Sequence, residues 1–382
     1  MEEERLIKKV QQLVRKGYSK EKILGKLRKK EEILLTPEGI YEVARNRIKA
    51  KEKFGELSDK LFFDDTGLRY STPKLIAEYR AERLKCDTMA DISCGVGAQL
   101  LFFARVCRKV YGVEIDRKRA LFARLNVKSM GLENVEILEG DALSDEIVRK
   151  VKNAEIIFSD PSRPPGEDVR TLNNLEPSPY RVIEKYVDHE IAFELPPQIP
   201  PSRIEIGGEK EYTSLNFRLN RLALYTGDLA SCNRSAISIP SRERVTEEDR
   251  ELEPEKSEEI KSYVYEVDTT ITKAELLQNL LGKLKFPADI VSEEKKRMLI
   301  TSDIEVTSEF LRRYEVLEIT EFKKQSIIDA LRSLNAEKVT LRLSVHPSEY
   351  WKLRNEFERE LSGERWVFLF KIDSKAVIAS RP

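Results

Sequence analysis

An aspartate and two glycines lie close together where an apolar run ends, in the segment TMADISCGVG at residues 88–97. The apolar run stops at Asp91, and Gly95 and Gly97 follow in the pattern D-x-x-x-G-x-G. Glycine lets the backbone adopt positive φ angles and approach a ligand closely. Residues 98–105 are predicted to be helical, and a helix start offers free N–H groups. The segment therefore predicts a strand, a tight turn and a helix that together bind a nucleotide-like ligand.

The charge of Asp91 indicates which kind of nucleotide this turn binds. The dinucleotide fingerprint G-x-G-x-x-G requires its third glycine at position 100, which is Leu100. Asp91 also places an anion where an adenine dinucleotide would place its pyrophosphate, so NAD is disfavoured. An anion suits a cationic ligand, and a methyl-donating sulfonium with an amino-acid tail is such a ligand.

Acidic residues end three further predicted strands. These strands are 109–116 (KVYGVEID), 135–141 (VEILEGD) and 154–160 (AEIIFSD). Glu114 belongs to the first of these strands, and Asp141 ends the second. Asp160 ends the last of these strands and is followed by Pro161 and then by Pro164-Pro165. One such turn alone is weak evidence for a nucleotide-binding site. Four strand ends that carry suitable acids in one order are strong evidence for such a site.

The turn resembles motif I of class I S-adenosylmethionine-dependent methyltransferases, and the other acids follow in the order of that family. The core is also similar to the trimethylguanosine synthase group, in the lead-in YSTP at 70–73 and in the turn itself. The resemblance implies that Glu114 binds the ribose hydroxyls and that Asp141 lies near the adenine amino group. In all it implies ten contacts to the methyl donor: Thr72, Asp91, Ser93, Gly95, Gly97, Glu114, Ile115, Asp141, Ala142 and Asp160. Thr72 has an equal alternative as the N-cap of a helix over 74–84, and the two roles are compatible.

The acceptor chemistry depends on residues 160–165, DPSRPP. Related enzymes that methylate exocyclic or amide nitrogens carry an acid, Asn or Ser, then Pro-Pro and a stacking aromatic residue. Asp160 and Pro161 match this pattern, whereas Ser162 and Arg163 do not. We predict Asp160, Pro161 and Arg163 as the catalytic group, because an arginine guanidinium can stack on a base or pair with a phosphate.

Two other acceptor chemistries have weaker support. The segment also resembles the D-P-P-R start of uracil-5 methyltransferases, which need a nucleophilic cysteine, and Ser231-Cys232-Asn233 is of that kind. Cys232 lies about seventy residues downstream without an evident activating group, so a structural role is favoured. The Lys-Asp-Lys-Glu tetrad of sugar 2′-O methylation has no clear match. His189, His346 and Cys94 are also predicted to be structural.

Composition predicts a soluble protein of two or three domains. The 382 residues carry a net charge of zero, with 35% charged residues and no apolar run of membrane-span length. The first residues lack the apolar stretch of a signal peptide, so we expect a cytoplasmic location. Four cysteines without a C-x-x-C pair and two histidines predict neither disulfides nor a metal site.

The N-terminal region, 1–53, has apolar residues at helical spacing, and breaks at Gly17 and Thr36-Pro37 divide it into three short helices. Basic residues concentrate there: Lys8, Lys9, Arg15, Lys16, Lys20, Lys22, Lys26, Arg28, Lys29 and Lys30. Such a cationic face either neutralises phosphates of a nucleic acid or is an ordinary solvated helix surface.

Alternating apolar strands and helical segments predict an α/β fold. We expect a Rossmann-like seven-stranded methyltransferase sheet over 54–241, whose last two strands, 217–225 and 235–240, form an antiparallel edge hairpin. An acidic linker follows over 242–261, and a smaller α/β domain over 262–382. The order of this last domain resembles the THUMP-like domain of a prokaryotic family of predicted methyltransferases.

The first functional hypothesis is a class I methyltransferase that uses S-adenosyl-L-methionine and modifies RNA, either tRNA or rRNA, at a base nitrogen. RNA is the expected partner because true THUMP domains bind RNA, which is an argument from analogy. Two hypotheses remain open beside it. One keeps the donor but replaces RNA by a small molecule or protein, and the other is a cofactor-binding RNA-binding module without turnover.

Overall fold

The computed structural model describes residues 2–27, 34–162, 171–294 and 297–381. The chain divides into two compact units. The first consists of residues 1–199, 203–209 and 223–231, and the second of 200–202, 210–222 and 232–382. The domain limits predicted from the sequence, at 53, 241 and 261, stay a prediction.

Five helices precede the first strand of the first unit. They are α1 (Glu2–Arg15), α2 (Lys20–Leu24), α3 (Pro37–Phe54), α4 (Asp65–Tyr70) and α5 (Lys74–Arg83). The three predicted N-terminal helices are confirmed, and the breaks are as expected. Gly17 has a φ of +77°, and the Thr36 hydroxyl accepts a hydrogen bond from the backbone of Gly39 at the start of α3. Apolar residues of α1 and α3, among them Ile7, pack into the core of this unit.

Parallel strands alternating with helices form the rest of the first unit. The strands are β1 (Thr88–Asp91), β2 (Lys109–Glu114), β3 (Val135–Glu139), β4 (Ile156–Ser159) and β5 (Glu190–Leu195). The helices between them are α6 (Leu100–Phe103), α7 (Arg117–Ser129), α8 (Asp145–Val151) and α9 (Pro179–Lys185). The strand order β3-β2-β1-β4-β5 places β1 between β2 and β4. The carboxyl ends of these three strands therefore meet at one edge, where open α/β sheets bind ligands.

The four strands that follow β5 lie wholly or mainly in the second unit. They are β6 (Glu209–Leu215), β7 (Leu219–Tyr225), β8 (Arg234–Ile239) and β9 (Arg244–Thr246). Their order is β7-β6-β8-β9. The predicted hairpin of the last two core strands is wrong, because β8 pairs in parallel with β6, a strand that sequence analysis missed. The tight turn instead joins β6 to β7 at Asn216 and Phe217, which both have positive φ angles. Strand β9, antiparallel to β8, also occupies the start of the predicted linker.

A second sheet completes the second unit, in the order β11-β12-β10-β13-β16-β15-β14. Its strands are β10 (Tyr263–Val267), β11 (Asp289–Glu294), β12 (Arg297–Ser302), β13 (Leu311–Glu321), β14 (Ala336–Arg342), β15 (Arg365–Ile372) and β16 (Lys375–Ser380). Its helices are α10 (Thr269–Ala274), α11 (Leu277–Leu284), α12 (Lys324–Ser333) and α13 (Pro347–Glu358). The prediction of a second α/β region is confirmed.

Across the described ranges, no helix combines the length and the apolar character that crossing a membrane requires.

Candidate active site

The glycine turn after β1 is fastened to the end of β2 by the Glu114 carboxylate. One Glu114 oxygen accepts the backbone N–H of Gly95 at 2.8 Å, and the other accepts that of Asp116 at 2.8 Å. The N–H of Cys94 also donates to the carbonyl of Val113. Because Glu114 is buried and holds two backbone segments, its carboxylate is both oriented and close to the turn.

Both glycines of the turn adopt positive φ angles, as their spacing predicts, but they serve different purposes. Gly95 has a φ of +57°, and a Cβ added there meets no atom within 4 Å. Gly97 has a φ of +75°, and a Cβ there lies 3.2 Å from the Cβ of Ala123 on α7. Gly97 thus allows close packing of the turn on α7, whereas Gly95 leaves the space beside its backbone open to a ligand.

Asp91 ends β1 with a fully enclosed carboxyl group. One of its oxygens accepts the backbone N–H of Ser93 at 3.1 Å. Burial raises the pKa of Asp91 to about 7, although the Ser93 N–H opposes this shift and the negative charge of Glu114 adds to it. The positive charge near Asp91 is too weak to restore the usual pKa of this buried carboxyl. A cationic ligand group would supply the missing charge.

A hydrogen bond joins the glycine turn to the segment that follows β4. The backbone N–H of Asp160 donates to the Ser93 hydroxyl at 2.6 Å. Asp160 is half-buried, and the next residue, Pro161, is buried. Two backbone hydrogen bonds then pair Ser162 with Glu176. Asp160 and Pro161 are therefore held on both sides, while the third predicted member of this group, Arg163, lies outside the described residues.

Helix α4 packs against the turn from the N-terminal side. A Cβ added at Gly67 would lie 2.6 Å from a methyl carbon of Val96, so the helix backbone approaches the turn closely. The buried amide of Asn126 on α7 joins the same two regions. It exchanges hydrogen bonds with the backbone N–H and C=O of Phe62 and donates to the carbonyl of Val96 at 2.7 Å. One side chain thus connects the lead-in segment to the glycine turn.

The lead-in around Thr72 is fixed by Lys53 of α3. The Lys53 ammonium donates to the carbonyls of Leu68, Arg69 and Ser71 at 2.7, 2.8 and 3.1 Å. The alternative role of Thr72 as an N-cap is wrong, because α5 begins after Pro73 without a side-chain cap. The Thr72 side chain is buried instead.

The predicted adenosine contacts lie at the ends of β2 and β3. Ile115 directly follows β2, and 71% of its side chain is exposed, which is unusual for an isoleucine in a parallel sheet protein. Asp141 is exposed, and one of its oxygens accepts the N–H of Leu143 at 2.9 Å. The adjacent Ala142 is buried, and its carbonyl accepts the hydroxyl of the buried Tyr186 at 2.6 Å. The exposed side chain at the end of β2 is therefore apolar, and the exposed side chain after β3 is acidic.

Arg80 is a part of the site that sequence analysis missed. This buried arginine of α5 forms an ion pair with Glu194 of β5, and its guanidinium lies 5.1 Å from the centre of the Phe158 ring. It also exerts a favourable electrostatic effect on Asp160. An arginine in an amphipathic helix is ordinarily predicted to be exposed, so the local sequence contains no signal for this role.

Three of the residues predicted to be structural, Cys94, His346 and Cys232, have defined contacts. The Cys94 thiol is buried, and burial raises its pKa well above the usual value. His346 is the N-cap of α13 and contacts Ser348. Cys232 belongs to the second unit, where its sulfur lies 3.5 Å from the guanidinium of Arg244. A cation does therefore lie beside this thiol, contrary to the expectation from sequence.

The predicted cationic surface of the N-terminal region is only partly described. Lys8 and Lys9 are exposed on α1, and the ammonium of Lys26 lies 4.7 Å from the ring centre of Tyr18. Arg28, Lys29 and Lys30 lie outside the described residues. In the part of the chain that the structure describes, no cluster of three or more His, Cys, Asp or Glu side chains is arranged to hold a metal ion.

Comparison with known proteins finds similarity to methyltransferases. Residues 86–166 match the family described as RNA cap guanine-N2 methyltransferase. The chain is 24% identical over 221 residues to an uncharacterized S-adenosylmethionine-dependent methyltransferase of Mycobacterium tuberculosis, which covers 55% of this chain and 60% of that protein. It is 29% identical over 181 residues to an uncharacterized RNA methyltransferase of Leptospira interrogans, which covers 45% and 44% of the two chains. The chain thus spans about 60% or less of the length of these relatives.

One solved structure is similar over nearly the whole chain. It is the crystal structure of a candidate methyltransferase from Porphyromonas gingivalis W83, with a TM-score of 0.77 and 18% identity, covering 99% of this chain and 97% of the other. At this identity the likeness concerns the fold. It confirms the predicted α/β fold, with a Rossmann-like methyltransferase sheet and a second sheet.

Proposed function

We propose that this protein is an S-adenosylmethionine-dependent methyltransferase that modifies RNA. The observation that carries the proposal is the buried Asp91 carboxylate beside the open space at Gly95, at an edge where Glu114 and Asp160 also end parallel strands. The RNA part rests on the family description of residues 86–166 and on relatives named as RNA methyltransferases. A tRNA or rRNA of the cytoplasm is the class of target.

The described residues fit the donor group by group. Asp91 would hold the ammonium of the amino-acid tail, because a positive charge removes the cost of ionising that buried carboxyl. Glu114 would accept hydrogen bonds from the ribose hydroxyls, and the exposed Ile115 would pack against the adenine ring. Gly95 and Gly97 allow the close approach of the backbone. Five further predicted contacts complete the set: Thr72, Ser93, Asp141, Ala142 and Asp160.

The acceptor side consists of Asp160 and Pro161. When bound, the donor supplies a methyl group on a sulfonium that leaves as a neutral thioether. The protein therefore has mainly to align the acceptor and hold its protons. The Asp160 carboxylate and the adjacent backbone would accept hydrogen bonds from the amino group of a base. The family description, which names a guanine nitrogen, supports a base nitrogen as the acceptor atom.

The test is methyl transfer from labelled donor into separated RNA, protein and metabolite fractions. We expect label in RNA, and digestion of the labelled RNA to release a nucleoside with a methylated base nitrogen. Asp160→Ala should lower the transfer rate by roughly a hundredfold or more, as removal of a positioned polar group does. Asp188→Ala, which removes an exposed carboxylate, is the control and should retain activity.

Three results would contradict parts of the proposal. Label in the metabolite or protein fraction would support a small-molecule or protein acceptor. Donor binding without label in any fraction would support a non-catalytic RNA-binding module. Normal transfer by Asp160→Ala would remove both its catalytic assignment and the argument for a nitrogen acceptor.

A further inference from the structure

On one face of the second sheet, two cations and a threonine of β14 lie opposite three aromatic residues of β15. Helices α12 and α13 pack on the face formed by Val339, Leu341, Val367 and Leu369. Side chains alternate between the faces of a strand, so the intervening residues of the paired strands β14 and β15 lie on the other face. These are Lys338 opposite Trp366, Thr340 opposite Phe368, and Arg342 opposite Phe370. We call this second face the inner face.

The sheet curls around the inner face. A guanidinium nitrogen of Arg342 on β14 lies 3.9 Å from an oxygen of Glu266 on β10. Four strand spacings separate β10 from β14, which in a flat sheet is about 19 Å. Ser344, just after β14, also hydrogen-bonds Glu294 on the opposite edge strand, β11. The inner face is therefore concave, and Arg342 reaches across it.

The concave face has more positive than negative charge around Glu266. Arg297 lies 3.3 Å from the Glu266 carboxylate, and Arg312 is the cross-strand partner of Glu266. With Arg342, three guanidiniums surround this one carboxylate, an excess of two positive charges. Burial, together with repulsion from Arg342 and Arg381, lowers the pKa of Arg312. The ε nitrogen of Arg342 is buried, and within the described ranges it makes no hydrogen bond. A bound anion would reduce the repulsion between the guanidiniums.

An aromatic surface lies beside these cations. The side chain of Trp366 is 61% exposed, and its indole N–H donates to the Thr340 hydroxyl at 2.7 Å, which fixes the ring. Phe368 follows on the same face. The centre of the Phe368 ring lies 5.9 Å from the Arg342 guanidinium and 5.1 Å from the centre of the Tyr314 ring. The fixed, exposed indole on β15 and the half-buried guanidiniums of Arg312 and Arg342 on the same face provide a stacking surface and a phosphate site.

We propose that the inner face binds a single strand of RNA, with a phosphate held by Arg312 and Arg342 and a base stacked on Trp366. The two chemistries select this occupant, because phosphate pairs with guanidiniums and a base stacks on an exposed indole. An acidic protein would supply the first contact without the second. This inference rests on the proposed function for the choice of RNA, and it adds a binding site separate from the residues that act on the donor and acceptor.

The experiment measures binding of a fluorescent single-stranded oligouridylate of twelve nucleotides to the full-length protein at several salt concentrations. We expect Arg312→Gln with Arg342→Gln to weaken binding about tenfold or more and to flatten the slope of log affinity against log salt by about 0.7, the value for one phosphate of a single strand. Trp366→Ala should weaken binding by roughly tenfold with the slope unchanged, because stacking does not release counterions. Trp366→Phe should restore most of the affinity.

The chain offers matched controls on other surfaces. Trp351 on α13 is 63% exposed, and Arg313, next to Arg312, lies on the opposite face and pairs with Glu305. Trp351→Ala and Arg313→Gln should bind the oligonucleotide as the wild type does. Melting temperatures within a few degrees of wild type would show that the variants fold, and Arg342→Lys, which retains the charge, should keep the salt slope if the fold is the same.

Three outcomes would overturn the inference. In the first, the inner-face variants bind the oligonucleotide as the wild type does. In the second, the control variants lose as much affinity for the oligonucleotide as the inner-face variants. In the third, polyglutamate binds as tightly as RNA and loses affinity in the inner-face variants. The last outcome would indicate an acidic protein as the partner. Failure of the proposed function is a separate result, in which no label enters RNA although the inner-face variants still lose RNA affinity and calorimetry still shows donor binding.

Discussion

The backbone N–H of Asp160 donates a hydrogen bond to the hydroxyl of Ser93 over 2.6 Å. This bond joins the end of β4 to the turn after β1, so the candidate acceptor residue and the candidate donor turn share one contact. A change at Ser93 is therefore expected to act on the position of Asp160 as well as on the turn.

Ser93→Ala should lower kcat by roughly tenfold and change donor affinity less, because it removes one hydrogen bond worth about 1 kcal/mol that positions Asp160. Steady-state methylation of RNA, with donor affinity from calorimetry, separates the two effects. Ser93→Thr keeps a hydroxyl and should recover part of the rate. Ser129→Ala removes a hydroxyl bonded to the Lys60 carbonyl away from the turn and serves as the control. An unchanged kcat in Ser93→Ala would mean that this bond does not position Asp160.

Donor affinity should depend on pH through Asp91. Above pH 7 this carboxyl is ionised and attracts the ammonium of the donor, whereas below pH 7 a proton occupies it and must leave. We expect affinity to fall by up to about tenfold per pH unit below 7. Asp91→Asn should bind weakly at every pH and lose this dependence. Equal affinity of the wild type at pH 6 and pH 8 would contradict the role of Asp91.

The raised pKa of Asp91 also predicts that the stability of the protein without donor changes with pH in the direction opposite to donor affinity. The folded-state pKa of Asp91, about 7, lies above its unfolded value near 3.8, so the folded state binds the proton more tightly. Its contribution to stability is therefore lost as pH rises from about 4 to about 7. Asp91→Asn cannot ionise, and its Tm at pH 8 should equal or exceed that of the wild type in the absence of donor. A Tm well below wild type at pH 8 would show that Asp91 serves the fold.

Ile115→Ala should weaken donor binding by roughly five- to thirtyfold, because the exposed isoleucine buries its apolar surface only when an adenine ring covers it. Free-protein stability should hardly change, since that side chain is 71% exposed. Calorimetry with the demethylated donor product measures the affinity. Val187, equally exposed in the same unit, provides the control variant Val187→Ala. Equal losses in the two variants would contradict an adenine contact at Ile115.

Lys53→Met should weaken donor binding by roughly tenfold through the lead-in segment. The ammonium of Lys53 donates three hydrogen bonds to backbone carbonyls that precede Thr72, and each is worth about 1 kcal/mol or more. Lys51→Met, two residues earlier on an exposed part of the same helix, should bind the donor normally. Limited proteolysis near residues 65–72 should become faster in Lys53→Met alone. Normal affinity would separate the lead-in from the donor site.

The parts of the fold that sequence predicted are those in which local pattern and tertiary environment agree. Strands β1 to β5 have apolar residues, and acids lie at or just after the carboxyl ends of the first four; their predicted existence and order along the chain are confirmed. The missed strand β6 has two glutamates at its start, and both Glu209 and Glu211 are buried. Arg83 and Arg244 neutralise them from distant positions, which no local pattern records.

The candidate site shows the same limit. The spacing of Asp91, Gly95 and Gly97 predicts the turn because positive φ angles have a local cause. The support of the site comes from long-range contacts, among them those of Lys53, Arg80 and Asn126. A lysine or arginine in a helix is ordinarily predicted to be solvated, so sequence analysis assigned these residues no role at the site.

The buried amide of Asn126 has a consequence for the order in which this region opens. Its hydrogen bonds hold Phe62 and Val96 together, so neither segment can leave the other without breaking them. Hydrogen exchange should therefore report the lead-in and the glycine turn as one cooperative unit, with similar opening free energies. A ligand that binds the turn would slow exchange at residues 61–63, which are distant in sequence, and Asn126→Ala would make the two segments exchange independently.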